Sequence, residues 1–230
     1  MSEQQLILLP LWYVVFLLSV TCHEAAHAFA AHRGGDDTAY LGGQVSLNPL
    51  PHIQRELWGT VLIPLLSYLY LGWMMGWASA PYDPYWEERH PRRAARMAAA
   101  GPLANLGLAC VGFLALKAGL STGVWERPDQ IRFDLLVVTA GGDAAGWEAL
   151  GRLCSVMLTL NVVLFLFNLL PIPPMDGASV LAGLSESARR LRERMRANAY
   201  SGWIGILIAW FLFGYLFSPI FSRVLRWLYA

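Results

Sequence analysis

Charge is scarce in this chain. Of its 230 residues only 14% are Asp, Glu, Lys or Arg and 56% are hydrophobic, where a soluble globular domain carries about 25% charged residues. A soluble fold of this length needs a largely charged surface and lipid-facing helices need none, so a soluble enzyme is excluded and a bilayer is implied. No sign of charge dominates either. Seventeen basic and 16 acidic residues leave a net charge of +1, which gives no bulk attraction to nucleic acid. Cysteine is sparse: Cys22, Cys110 and Cys154 sit in apolar stretches at spacings that match no disulfide framework or zinc ribbon, and each reads as a small buried hydrophobe. The polar start holds Glu3 but no Lys or Arg, and no small-x-small cleavage site precedes Cys22. The first apolar run is therefore expected to stay attached as a membrane helix that ends near Gly34 and Gly35.

Five apolar stretches follow one another: Leu6 to Ala31, Trp58 to Ala78, Ala94 to Leu120, Gly146 to Leu170 and Tyr200 to Phe221. Each is long enough to span a hydrocarbon core of roughly 30 Å. No soluble domain fits between them, and residues 1–230 read as a single integral membrane unit with a core over 6–178. Ser121 to Ala145 mixes Gly, Pro and charged residues and reads as an ordered loop. The segment 185–198 carries Arg189, Arg190, Arg192, Arg194 and Arg196 and reads as a basic helix or loop at a membrane surface, followed by a C-terminal membrane helix over 200–221. The expected class is an all-α polytopic membrane protein with about 4–6 membrane helices, a possible re-entrant segment and a short β element near the active site.

Near the end of the first stretch stands His23-Glu24-Ala25-Ala26-His27. On a helix, histidines four apart stack on one face, so both imidazoles can reach one metal while Glu24 projects beside them as a general base. The pattern arises by chance in about one chain in a hundred of this length. Its setting in an apolar stretch, where ionisable groups are costly and usually functional, sharpens it. Di-iron membrane oxygenases need about eight histidines, and five are present. A catalytic zinc takes three protein ligands and a water, and the third ligand could be His32, Asp36, Asp37, His52 or Asp176. Asp176 is favoured: Pro171, Pro173 and Pro174 stop the fourth apolar stretch, and Gly177 permits a tight turn that can bring the carboxylate back toward the interior.

HEAAH in a membrane helix, SLNPLPHI at Ser46 to Ile53, AAGPLAN at Ala99 to Asn105 and FNLLPIPPMDG at Phe167 to Gly177 together resemble the site-2 protease family of intramembrane zinc metalloproteases. The similarity is to its small bacterial and archaeal members without PDZ-like or cystathionine-synthase-like domains, and it runs from the first helix through Gly177. The resemblance implies that His23, His27 and Asp176 hold one Zn2+ per chain, that Glu24 activates a water, and that Asn168 orients substrate or stabilises the oxyanion. It implies a multi-pass protein of a bacterial or archaeal cell membrane, acting on membrane-anchored protein or peptide substrates within the lipid bilayer. Two positions depart from the family pattern: Asp-Gly-Gly is Asp176-Gly177-Ala178 here, and Gln54-Arg55 stands where an acidic residue often follows His-Ile. A non-proteolytic metal-binding membrane protein or metal transporter is the alternative; it would use the same histidines but not Glu24. An inactive homologue that only binds membrane segments is another.

If His27 and Asp176 share a metal, the ends of the first and fourth stretches lie on one side of the membrane. An odd number of crossings must then join them, so either one intervening stretch fails to cross or Ser121 to Ala145 holds a further crossing. Trp58 to Ala78, with Gly59, Pro64, Gly72 and Gly76, is the expected re-entrant segment. Eleven of the 17 basic residues then fall on the active-site side, among them Arg33, Arg55, Arg89 and the five arginines from Arg189, and six on the other. That asymmetry points the site toward the cytoplasm. A substrate helix must unwind before attack, and the alternating Gln44-Val45-Ser46-Leu47 fits equally an edge strand that receives it or an ordinary interfacial turn. His52 reads as a loop histidine or one that supports a ligand, His32 and His90 as surface groups, and Asn105 as a helix-packing hydrogen bonder. The oligomeric state is not legible.

Overall fold

A computed structural model describes residues 3–141, 145–197 and 200–230. In chain order its elements are α1 (Glu3–Gly34), α2 (Thr38–Leu41), α3 (Pro49–Arg55), a π-helical turn (Trp58–Leu62) that runs into α4 (Ile63–Leu71), α5 (Pro84–Arg89), α6 (Pro91–Ser121), strands β1 (Trp125–Glu126) and β2 (Val138–Thr139), α7 (Ala145–Asn168), α8 (Asp176–Leu184), α9 (Glu186–Arg196) and α10 (Ser201–Tyr229). Among the described residues α1, α6, α7 and α10 are long and apolar enough to cross a bilayer. The chain is an all-α polytopic membrane protein.

The second apolar stretch does not cross. Its helical part, Trp58–Leu71, is too short to span, and Gly72 at φ 78° turns the chain back. Bonds between the two arms record the return: the Trp77 N–H donates to the Gly59 carbonyl at 3.0 Å and the Met75 N–H to Ser67 Oγ at 2.8 Å. Such close approach needs bare backbones, because a Cβ on Gly59 would lie 2.2 Å from the Trp77 carbonyl oxygen. The hairpin tip sits beside the start of α1, where the Tyr68 hydroxyl donates to the Gln5 carbonyl. The chain then re-emerges beside the end of α1, where the Asp83 N–H and the Trp86 indole bond Asp36 and the Gly34 carbonyl. The expected re-entrant path is thus present, and the loop after α6 stays at the far end of the bundle. There β1 and β2 pair antiparallel, Trp125 donates to the Trp147 carbonyl, and Tyr229 of α10 donates to the Leu136 carbonyl. Of the expected loop 121–145, residues 142–144 lie outside the described residues, as does Asn198 of the basic segment.

Three local expectations differ. Gln44 to Leu47 is a series of bends and not an edge strand. Ser46 Oγ accepts the Asn48 N–H, the Asn48 side chain caps α3 ahead of Pro49, and Gln44 turns inward to donate to the Ser79 carbonyl. These side-chain bonds give the backbone an alternative to a ladder. The short β element lies instead in the loop after α6, away from the histidines. α10 runs on through Pro219 to Tyr229, past the expected end at Phe221, since Arg223 and Arg226 at a helix end can reach an interface without stopping the helix. Cys110 is exposed on α6 and not buried, as an apolar residue facing lipid can be. The basic segment forms α9, but its arginines are largely engaged: buried Arg192 pairs with Glu87, and Arg189 and Arg190 pair with Glu186.

Candidate metal centre

α1 and α6 pack antiparallel, and each presents a stripe of residues four apart to the other. Ser19, His23 and His27 on α1 face Asn105, Gly101 and Met97 on α6. Asn105 reaches Ser19 and His23, and the Met97 carbonyl meets His27 Nδ1 at 2.7 Å. Between them Gly101 leaves a gap. A Cβ there would lie 2.3 Å from His27 Nε2 and 2.6 Å from His23 Nε2, so the two ring nitrogens converge over a bare Cα.

The third partner arrives from α7. Past Asn168 the segment from Pro171 to Pro174 turns the chain, and α8 starts at Asp176. Asp176 Oδ2 lies 3.1 Å from His23 Nε2 and 3.3 Å from His27 Nε2, which are 3.0 Å from each other. Among the described residues His23, His27 and Asp176 form a group whose ligand atoms lie within 4.8 Å of one another. A carbonyl oxygen can only accept, so His27 Nδ1 carries the proton and its Nε2 offers a lone pair to the centre. Two imidazoles and a carboxylate that line an open cavity are the donor set of a catalytic zinc with an open position, and the residues fit that ion.

Glu24 is buried on the same helix and, with Asn168, lines a cavity of about 790 Å³ bounded by α1, the returning segment Trp73–Tyr82, the end of α7 and α10. The cavity wall is mostly apolar, with Trp77, Trp203, Trp210 and Phe213 prominent. Asn168 donates through its amide to the Leu164 carbonyl at 3.0 Å. The other third-ligand candidates are occupied elsewhere: His32 bonds Asp37 at 2.6 Å, Asp36 caps Thr38 and accepts from Asp83, and fully buried His52 bonds the Ser46 carbonyl at 3.1 Å. Asn105 is the expected helix-packing hydrogen bonder, joining α6 to Ser19 on α1 and Asn161 on α7, and it also meets His23; Gly101 and the Met97 carbonyl were not expected at the site. The matching four-residue spacings of 19/23/27 and 97/101/105 were the signal that could have found them.

Residues 11–212 match the model of Peptidase family M50. The chain is 32% identical over 202 residues to "Putative zinc metalloprotease YwhC" of Bacillus subtilis, covering 87% of this chain and 80% of the relative. It is 29% identical over 214 residues to "Putative zinc metalloprotease Rip2" of Mycobacterium tuberculosis strain H37Rv, covering 93% and 71%. The Rip2 of Mycolicibacterium smegmatis is 29% identical over 166 residues, 72% of this chain and 54% of that one. No solved structure matches the chain.

Proposed function

The chain belongs to peptidase family M50, zinc metallopeptidases of the site-2 protease type, and from that premise we propose that it cleaves peptide bonds in or beside the membrane-spanning segments of membrane-anchored proteins. One zinc per chain is held by His23, His27 and Asp176. The observation that carries this reading is the convergence of those three side chains next to Glu24 on the wall of an apolar cavity inside a membrane bundle.

A bound zinc would supply Lewis-acid polarisation of the scissile carbonyl and a lowered pKa for a water at its open position. Glu24, buried beside the three ligands, is placed to take a proton from the attacking water as its oxygen adds to the carbonyl carbon. As the C–N bond breaks, Glu24 passes the proton to the leaving amine. Asn168, on the cavity wall, orients the substrate backbone or the developing oxyanion. The cavity's aromatic wall holds apolar side chains and excludes water. A helical substrate hides its carbonyls in i to i+4 bonds and has to unwind first. The non-helical Trp77–Tyr82 segment, which borders the cavity, replaces Gln44 to Leu47 as the backbone edge for the unwound peptide.

The site faces the cytoplasm. The excess of basic residues on the site side, eleven of 17 against six, supports this. Both termini then lie outside, and a C-terminal tag should be accessible on intact cells. Purified Glu24→Gln tests the reaction. A protease loses cleavage of a membrane-embedded substrate and keeps its zinc, whereas a metal transporter keeps transport; cleavage by the Gln variant overturns the role given to Glu24.

A further inference from the structure

We propose that Asn105, held by Asn161 and Ser19, is a positioning residue that sets the tautomer of His23 and so turns its Nε2 lone pair toward the metal. This rests on the reading that His23, His27 and Asp176 hold zinc. His27 needs no such device, because the Met97 carbonyl already fixes its Nδ1 as a donor. The acceptor at His23 Nδ1 is a side chain instead, Asn105 Oδ1 at 2.6 Å. An amide can present either end, so something must decide which end faces the imidazole.

Backbone carbonyls decide it, two residues away. The Asn161 amide meets the Met157 carbonyl at 2.9 Å. That carbonyl can only accept, so this end of Asn161 is its NH2, which also donates to Ser19 Oγ at 2.9 Å. Ser19 Oγ in turn spends its own proton on the Val15 carbonyl at 2.7 Å. The other end of Asn161 is therefore its oxygen, and it faces Asn105 at 2.9 Å. Asn105 must answer with its NH2, whose second hydrogen reaches the Ser19 carbonyl at 3.3 Å. Its oxygen is then the atom left for His23, whose Nδ1 has to be the donor. Every amide and hydroxyl in the chain of bonds has one consistent assignment, and in the neutral ring it leaves His23 Nε2 bare. Ser19, Asn105 and Asn161 are all fully buried, where a reversed amide would oppose acceptor to acceptor without water to relieve it.

Partners of this kind raise ligand basicity and fix ring orientation, and their loss typically weakens metal binding 10–100-fold. The test uses the full chain in detergent, loaded with zinc. Nitrogen NMR of 15N-histidine protein should show both zinc-bound imidazoles protonated at Nδ1; a His23 protonated at Nε2 overturns the proposal without any variant. Zinc affinity by chelator competition should fall about 10–100-fold in Asn105→Leu. Most of that loss should return in Asn105→Asp, which keeps an acceptor on His23 and in its neutral form can still donate to Asn161. Wild-type affinity in a folded Leu variant, or an Asp variant no better than Leu, refutes the relay. Should the Leu variant not fold, the Asp variant and the NMR of the wild type decide. A wild type that binds no zinc defeats the site reading itself, which is a different result from a zinc-binding protein indifferent to Asn105.

Discussion

On the α6 and α7 side of α1, His23 and His27 meet a wall without free space: Gly101, Asn105 and the Met97 carbonyl touch them directly, and Asn161 stands behind. On the opposite side the same α1 residues face a cavity of about 790 Å³ against the re-entrant hairpin and α10. The contrast extends to whole helices. In α1, 44% of the apolar stretch is buried inside the bundle, and in α10 only 17%. One wall is closed by hydrogen bonds and bare backbone, the other bounded by aromatic side chains that line the cavity. Under the proposed function, metal geometry depends on the first, and the second is where a substrate segment would enter from the lipid. Substitutions should therefore separate by wall: zinc and stability on the closed side, substrate handling on the open side.

The largest effect is expected from Glu24→Gln, which should lower turnover by about 10²–10⁴-fold while zinc stays bound, measured as cleavage of a membrane-embedded reporter. Gly101→Ala should break the closed wall. Its Cβ would overlap both ring nitrogens, so zinc should be lost from the purified protein and stability should fall by about 1–3 kcal/mol. Asn168→Ala, at the junction of the walls, should reduce kcat by about 10²-fold with zinc content unchanged, as removal of an oxyanion donor does. The smallest effect is expected on the open wall. Trp210 stacks on Trp73 with ring centroids 5.8 Å apart, a contact worth about 0.5–1.5 kcal/mol beyond its buried area. Trp210→Ala should shift substrate preference and KM with zinc retained; zinc loss in this variant would erase the distinction between the walls.

The two walls were not equally legible in the sequence. HEAAH announces its own geometry, because two histidines four apart on a helix can point one way only. Asp176 was readable because three prolines forced the chain to turn where the fourth apolar stretch ended. The parity of crossings then exposed the hairpin at Trp58 to Ala78, which hydropathy alone counts as a span. Asn105 and Asn161 were harder, because a lone polar residue in a membrane helix has many roles and its partners on other helices sit 56 to 142 positions away. Gly101 carries no side chain to signal anything; its use shows only once α1 lies against it. Gln44 to Leu47 misled because alternation predicts a strand only where no nearby side chain competes for the backbone, and Ser46 and Asn48 do compete.

Metal analysis of purified Asp176→Ala beside the wild type tests the central claim most directly. The wild type should carry about one zinc per chain, as a site of three protein ligands and one open position requires. Asp176→Ala, folded as judged by its helical content, should carry almost none after dialysis against a mild chelator. Stoichiometric zinc in the Asp176 variant would contradict the assigned site and move the third ligand to another residue.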